Sequence, residues 1–151
     1  SRSYLGRVLE SIEEVFDAQD KIPKEYLVGT RSISNSCYIV ITGSSGLCGS
    51  FNGNVIRRVD ETVSDACNGT KVVTIGSKGR EHFENRRYEI IDKHDPPADT
   101  MDYDAVIEMA EPLMDKYLKG EIDEIILVYT SYINSLKQEV IEERILPVDI
   151  E

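Results

Sequence analysis

The chain has 151 residues, of which 40% are hydrophobic and 30% charged, a composition that fits one folded domain and excludes a disordered chain. No apolar run approaches the ~20 residues of a membrane helix, so direct lipid insertion is not expected. Against 17 basic residues stand 28 acidic ones, and a net charge of -11 repels phosphate backbones and anionic lipid, so no nucleic acid is expected as a partner.

Residues 4–19 read as a helix. Leu5, Val8, Ile12 and Val15 recur at spacings of 3, 4 and 3, with Leu9 and Phe16 beside them and Arg7, Glu10, Glu13, Glu14 and Asp17 opposite. That stripe fits a coiled-coil seam or packing on the chain's own core. Ile22-Pro23 ends the helical region, and residues 24–35 read as a connector.

Cys37-Tyr38-Ile39-Val40-Ile41 is a continuous apolar run, the pattern of a strand buried on both faces. A loop with Gly43, Gly46 and Gly49 follows. Phe51, Val55, Val59 and Val63 then recur every four residues, which predicts a helix over 51–67. Lys71 to Ile75 is a second buried strand, residues 78–87 a short polar helix, and Tyr88 to Ile91 a third strand. After a loop at His94-Asp95-Pro96-Pro97, Thr100 or Asp102 can cap a helix running to Lys119, with Gly120 as its stop. Pro112 lies inside that helix and predicts a kink or a break. Glu124 to Thr130 is the strongest strand; Asn134-Ser135 turns it into an antiparallel partner over Lys137 to Leu146. Strands alternating with helices and closing in a hairpin predict an α/β domain, Rossmann-like and three-layered, with a mostly parallel sheet and an antiparallel edge.

The loop Gly43-Ser44-Ser45-Gly46-Leu47-Cys48-Gly49 lies where doubly wound folds bind phosphates. It has no Gly-Lys-Ser/Thr ending, and its glycines are spaced Gly-x-x-Gly-x-x-Gly rather than Gly-x-Gly-x-x-Gly. Gly76-Ser77-Lys78 stands where an acidic residue would hold a ribose. Tight turns and close strand–helix packing account for the glycines without a ligand. Gly76 to Arg80 could cradle an anion but needs none to start a helix. Cys48 lacks a histidine base, since His82 sits on a polar helix and His94 in the proline loop. Cys37, Cys48 and Cys67 have no metal-ligand spacing and form no disulfide framework. Glu139, Glu142 and Glu143 read as a solvated edge that blocks sheet-to-sheet association. The residues therefore outline a nucleotide-binding fold without a catalytic, metal or cofactor site.

Three segments resemble the gamma subunit of F-type ATP synthases. They are Ile39-Val40-Ile41-Thr42 with Gly46-Leu47-Cys48-Gly49 and Phe51-Asn52; Ile75 through Arg80; and Gly120-Glu121-Ile122-Asp123-Glu124 through Val128-Tyr129-Thr130 to Leu146-Pro147. One departure stands out: the family commonly has Ser-Asp-Arg before Gly-Leu-Cys-Gly, and this chain has Gly43-Ser44-Ser45. The resemblance implies one domain over 1–151, with 1–20 the remnant of an N-terminal shaft helix and 33–151 the globular part. It implies a non-catalytic central-stalk (rotor) subunit that couples ion flow through the membrane ring to ATP synthesis in the catalytic head. It implies as partners the alpha and beta subunits of that head, the epsilon subunit and the membrane c-ring. Gly43 to Gly49 would form a subunit interface, and Leu5, Val8, Ile12 and Val15 a coiled-coil seam whose exposure would favour self-association. A peripheral location on the cytoplasmic face of a bacterial membrane follows from the same resemblance. The alternative is a free-standing nucleotide- or phosphate-binding protein that uses the glycine loop 43–49.

Overall fold

A computed structural model describes residues 9–12, 14–15, 32–43, 49–63, 69–96, 101–134 and 136–147. Five strands form one sheet in the order β3-β2-β1-β4-β5: β1 (Ser36–Ile41), β2 (Lys71–Ile75), β3 (Glu89–His94), β4 (Glu124–Asn134) and β5 (Lys137–Leu146). The β1–β2, β1–β4 and β2–β3 pairs are parallel, and β4–β5 is antiparallel. Three helices lie between the strands: α1 (Gly49–Val63), α2 (Ser77–Glu84) and α3 (Tyr103–Leu118). The sequence-predicted fold class is the one observed.

Alternation along the central strands sends side chains to both faces, and each face carries its own core. Cys37, Ile39, Ile41, Val73, Ile75, Ile125 and Leu127 pack with Val106, Met109, Leu113 and Tyr117 of α3. On the other face, Tyr38, Val40, Val72 and Val128 pack with Val55, Val59 and Val63 of α1 and Phe83 of α2. Two faces covered by helices explain why the inner strands are apolar at nearly every position.

Several boundaries differ from those expected. Strand β4 runs to Asn134, not Thr130, because the hairpin continues beyond the last β1 pairing at Val40↔Val128. His94 ends β3 rather than lying in a loop; a register shift between Val72 and Val73 lets β3 follow β2 to Ile75↔His94. Helix α3 passes through Pro112 without a break, capped by Asp102, whose carboxylate accepts the Ala105 amide at 2.9 Å. Glu142 is not simply a solvated edge residue: Thr62 donates to it at 3.0 Å and Arg58 pairs with it at 3.5 Å, tying β5 to α1.

Residues 9–12 and 14–15 are helical. Ile12 is wholly buried in the core on the α3 side, with Leu9 and Val15 packed against the same cluster. The expectation of a stripe left uncovered is corrected at Ile12. Helix α3 alone does not span the sheet face, and this segment helps to cover it. Leu5 and Val8 lie outside the described residues.

Candidate functional site

The carboxyl ends of β1 and β2 are where a doubly wound sheet would hold a ligand, at the switch point where β1 pairs with both β2 and β4. Of the predicted interface loop, Gly43 and the helical Gly49 are described, while Ser44, Ser45, Gly46, Leu47 and Cys48 lie outside the described residues. Thr42 and Gly43 are buried.

The chain's own side chains occupy the hydrogen-bonding positions at these strand ends. Gly43 donates its amide to Asn52 Oδ1 of α1 at 2.8 Å. In a phosphate loop such amides face the anion; here an asparagine carbonyl takes that place. Thr42 Oγ1 accepts the Gly79 amide of α2 at 2.9 Å, so a helix amide that could serve an anion is held by a threonine. The Lys78 amide donates to the Gly43 carbonyl at 3.3 Å, which locks the two turns together.

Gly76 makes this close approach possible. Its φ is +101°, and a Cβ there would lie 2.0 Å from the Thr42 carbonyl oxygen. Only glycine satisfies both constraints. The Gly76 amide donates to the His94 carbonyl at 2.8 Å, so β1, β2 and β3 end in one bonded row.

Arg80 of the second turn is likewise engaged. Arg80 bonds Glu84 Oε1 and Asp95 Oδ2, each at 2.7 Å. The bond to Glu84, then that to Asp95, raises the arginine further above its ordinary range, and the Arg80 bond lowers Glu84. His82 Nε2 lies 2.8 Å from Asp60 Oδ2, and Tyr88 donates to Asp60 Oδ1 at 2.6 Å. One carboxylate of α1 thus gathers a histidine from α2 and a tyrosine beside β3. His94 pairs with Asp92 at 2.8 Å. Neither histidine is joined by a nucleophile in these bonds.

Cys37 is buried near the start of β1, and burial pushes its thiol up to about 12 despite the opposing charge of Lys71. Such a thiol is inert. No group of three or more metal-ligating side chains occurs among the described residues. A groove of about 370 Å³ lined by Ile91, Asp92, His94, Glu108, Met109 and Lys116 lies between β3 and α3, on the opposite face from Asn52.

Sequence reasoning missed three positioning residues. Asn52 and Thr42 lie in or beside quoted motifs, but nothing local assigns their bonds. Asp123 is the third: its Oδ2 accepts the Ser34 and Asn35 amides, each at 2.9 Å, and its own amide donates to the Asn35 carbonyl at 2.7 Å. This clamp fixes the entry into β1.

A model of the ATP synthase family matches residues 1–151. Curated relatives include the ATP synthase gamma chain of Desulforamulus reducens, 34% identical over 82% of this chain and 43% of its own length. Another is that of Clostridium novyi, 33% identical over 100% of this chain and 53% of its own.

The chain belongs to the ATP synthase gamma-chain family.

It spans about half the length of the curated relatives it matches. A further relative, from Acetobacterium woodii, is named as a sodium ion specific ATP synthase gamma chain and is 29% identical over 99% of this chain. Among solved structures, the central stalk and c-ring of the Tetrahymena thermophila mitochondrial ATP synthase superposes with a TM-score of 0.64 at 15% identity, covering 95% of this chain and 69% of that one. The Euglena gracilis mitochondrial ATP synthase rotor gives 0.58 at 16% identity, over 96% and 54%. These two likenesses establish the fold.

Proposed function

We propose that this chain is the globular part of a central-stalk rotor subunit that couples ion flow to ATP synthesis and has no active site of its own. Residues 33–151 form the globular body and residues 1–20 belong to the shaft. The observation that carries the non-catalytic reading is the occupancy of the strand ends: Asn52 Oδ1 on the Gly43 amide and Thr42 Oγ1 on the Gly79 amide fill the positions a phosphate would need. The mechanism is mechanical. An asymmetric rotor presents a different face to each catalytic subunit, and differential contacts shift the nucleotide affinities of those subunits.

The proposed partners are the alpha and beta subunits of the catalytic head, the epsilon subunit and the membrane c-ring. The loop Gly43 to Gly49 is the proposed contact with the head, without the charged pair common in the family. Leu5 and Val8 are proposed as the part of the seam that pairs with another shaft helix. Peripheral attachment at the cytoplasmic face of a bacterial membrane follows. No helix among the described residues is long and apolar enough to cross a membrane.

The reading is tested in two steps. The native protein is purified from membranes and assayed for co-purifying ATPase; a soluble protein without that partner rejects the rotor reading. The chain alone is then titrated with ATP, ADP and NAD. No heat is expected, whereas a micromolar dissociation constant would restore the glycine loop as a ligand site.

A further inference from the structure

The buried stripe of α1 runs Val63, Val59, Val55 and ends on Asn52, which is 4% exposed. The strand columns beneath it also change from apolar to polar past the last β1–β4 pair. Tyr38 and Val40 of β1 lead to Thr42 just past its end, and Ile126 and Val128 lead to Thr130 in β4. Val40↔Val128 is the last β1–β4 pair, and Thr42 and Thr130 each lie two residues beyond it. Both lie on the face that α1 covers, at the end where Asn52 begins its stripe.

Of four side-chain hydrogen-bonding atoms there, two are bonded within the chain and two are not. Asn52 Oδ1 holds the Gly43 amide. Thr42 Oγ1 holds the Gly79 amide. Asn52 Nδ2 and Thr130 Oγ1 are buried with no hydrogen-bond partner in the chain, although Thr130 is only 2% exposed. Leaving both without a partner would cost more than most buried pairs in a native fold. They are complementary, since an amide donates and a hydroxyl can accept or donate.

We propose that a single buried water bridges Asn52 Nδ2 and Thr130 Oγ1 between α1 and β4, and that this water sets the orientation of the Asn52 amide. Water fits this site better than an anion. One polar atom is a neutral amide and the other a neutral hydroxyl, no cation converges on them in the bonds described, and the chain carries a net charge of -11. The water gives Asn52 Nδ2 an acceptor, so Oδ1 stays turned to the Gly43 amide. Thr130 is thereby a positioning residue for Gly43, the first residue of the interface loop. The inference deepens the rotor reading and rests on it only for the role of that loop.

The test uses the sign of a substitution. Thr130→Val keeps the side-chain shape and deletes the hydroxyl. If the hydroxyl holds a water, the variant lowers the folding equilibrium constant about fivefold, and the Gly43 amide exchanges with solvent about fivefold faster. Thr130→Ser, which keeps the oxygen, restores slow Gly43 exchange. A nuclear Overhauser effect from long-lived water to the Asn52 side-chain amide is expected in the parent chain and lost in Thr130→Val. A Thr130→Val variant that is equally or more stable, with Gly43 exchange unchanged, overturns the water and leaves the rotor reading intact. Inorganic phosphate or ATP shifting the Asn52 side-chain resonances at millimolar concentration overturns both.

Discussion

At the ends of β1 and β2, polar atoms lie buried: Thr42, Asn52, Thr74 and Thr130 are each at most 4% exposed. At the tip of the β4–β5 hairpin, apolar side chains face solvent, with Ile133 52% and Leu136 96% exposed. Both regions reverse the usual partition, for different reasons. The strand ends bring three backbone segments so close that only short polar side chains and glycine fit between them. The hairpin tip extends beyond β1, so from Tyr129 onward β4 pairs only with β5 among the described residues. Polarity in the first region holds the fold together. Apolar surface in the second contributes nothing to the core and is free for contact.

The largest expected effect breaks the first region. Gly76→Ala must place a methyl against the Thr42 carbonyl at positive φ, so unfolding by denaturant should show a loss of about 3 kcal/mol or more, or no folded protein. Next comes Thr42→Val, which leaves the buried Gly79 amide without its acceptor and should cost about 2 kcal/mol in the same assay. A third test uses pH. Cys37 is raised from 9.0 to about 12 in the folded chain, so the folded state keeps a proton that the unfolded state releases. Its contribution is present below pH 9 and is lost as pH rises from there towards 12. At pH 10 the loss should be about 1 kcal/mol, absent in Cys37→Ala, and Cys37 should react with a thiol reagent only on unfolding. The smallest effect belongs to the hairpin: Leu136→Ser should change stability by less than about 0.5 kcal/mol. A large loss there would end the contrast, because it would mean that the tip is packed.

The sequence made the apolar half of this contrast easy to read. Cys37 to Ile41, Lys71 to Ile75 and Glu124 to Val128 are runs whose burial on both faces leaves a direct trace in composition. The polar half was hidden. Phe51, Val55, Val59 and Val63 satisfy a helical period, so the period alone did not point to Asn52 as the residue heading the buried stripe. The clamp from Asp123 to Ser34 and Asn35 spans 89 and 88 positions, and no local pattern encodes such a distance. Ser131 to Asn134 lacks the apolar run of the strand before it, which is why β4 looked shorter than it is. Ile12 could be assigned to a stripe but not to a partner, since a 3-4 spacing fits a coiled coil and a domain core equally well.

The antiparallel turn at the end of the sheet has a geometric consequence. Every parallel strand delivers the chain to the Gly43 and Gly76 end, and β5 alone brings it back. Register places Leu146 beside Ile125 and Ile125 beside Cys37, so the chain enters the sheet on its central strand and leaves it on the edge strand at the same end, with a single strand between. Two interstrand steps are about 10 Å, close to the axis separation of two packed helices. The points where the chain enters and leaves the sheet are therefore neighbours. A pull on either one reaches the same root, where Asp123 joins the first strand to the fourth.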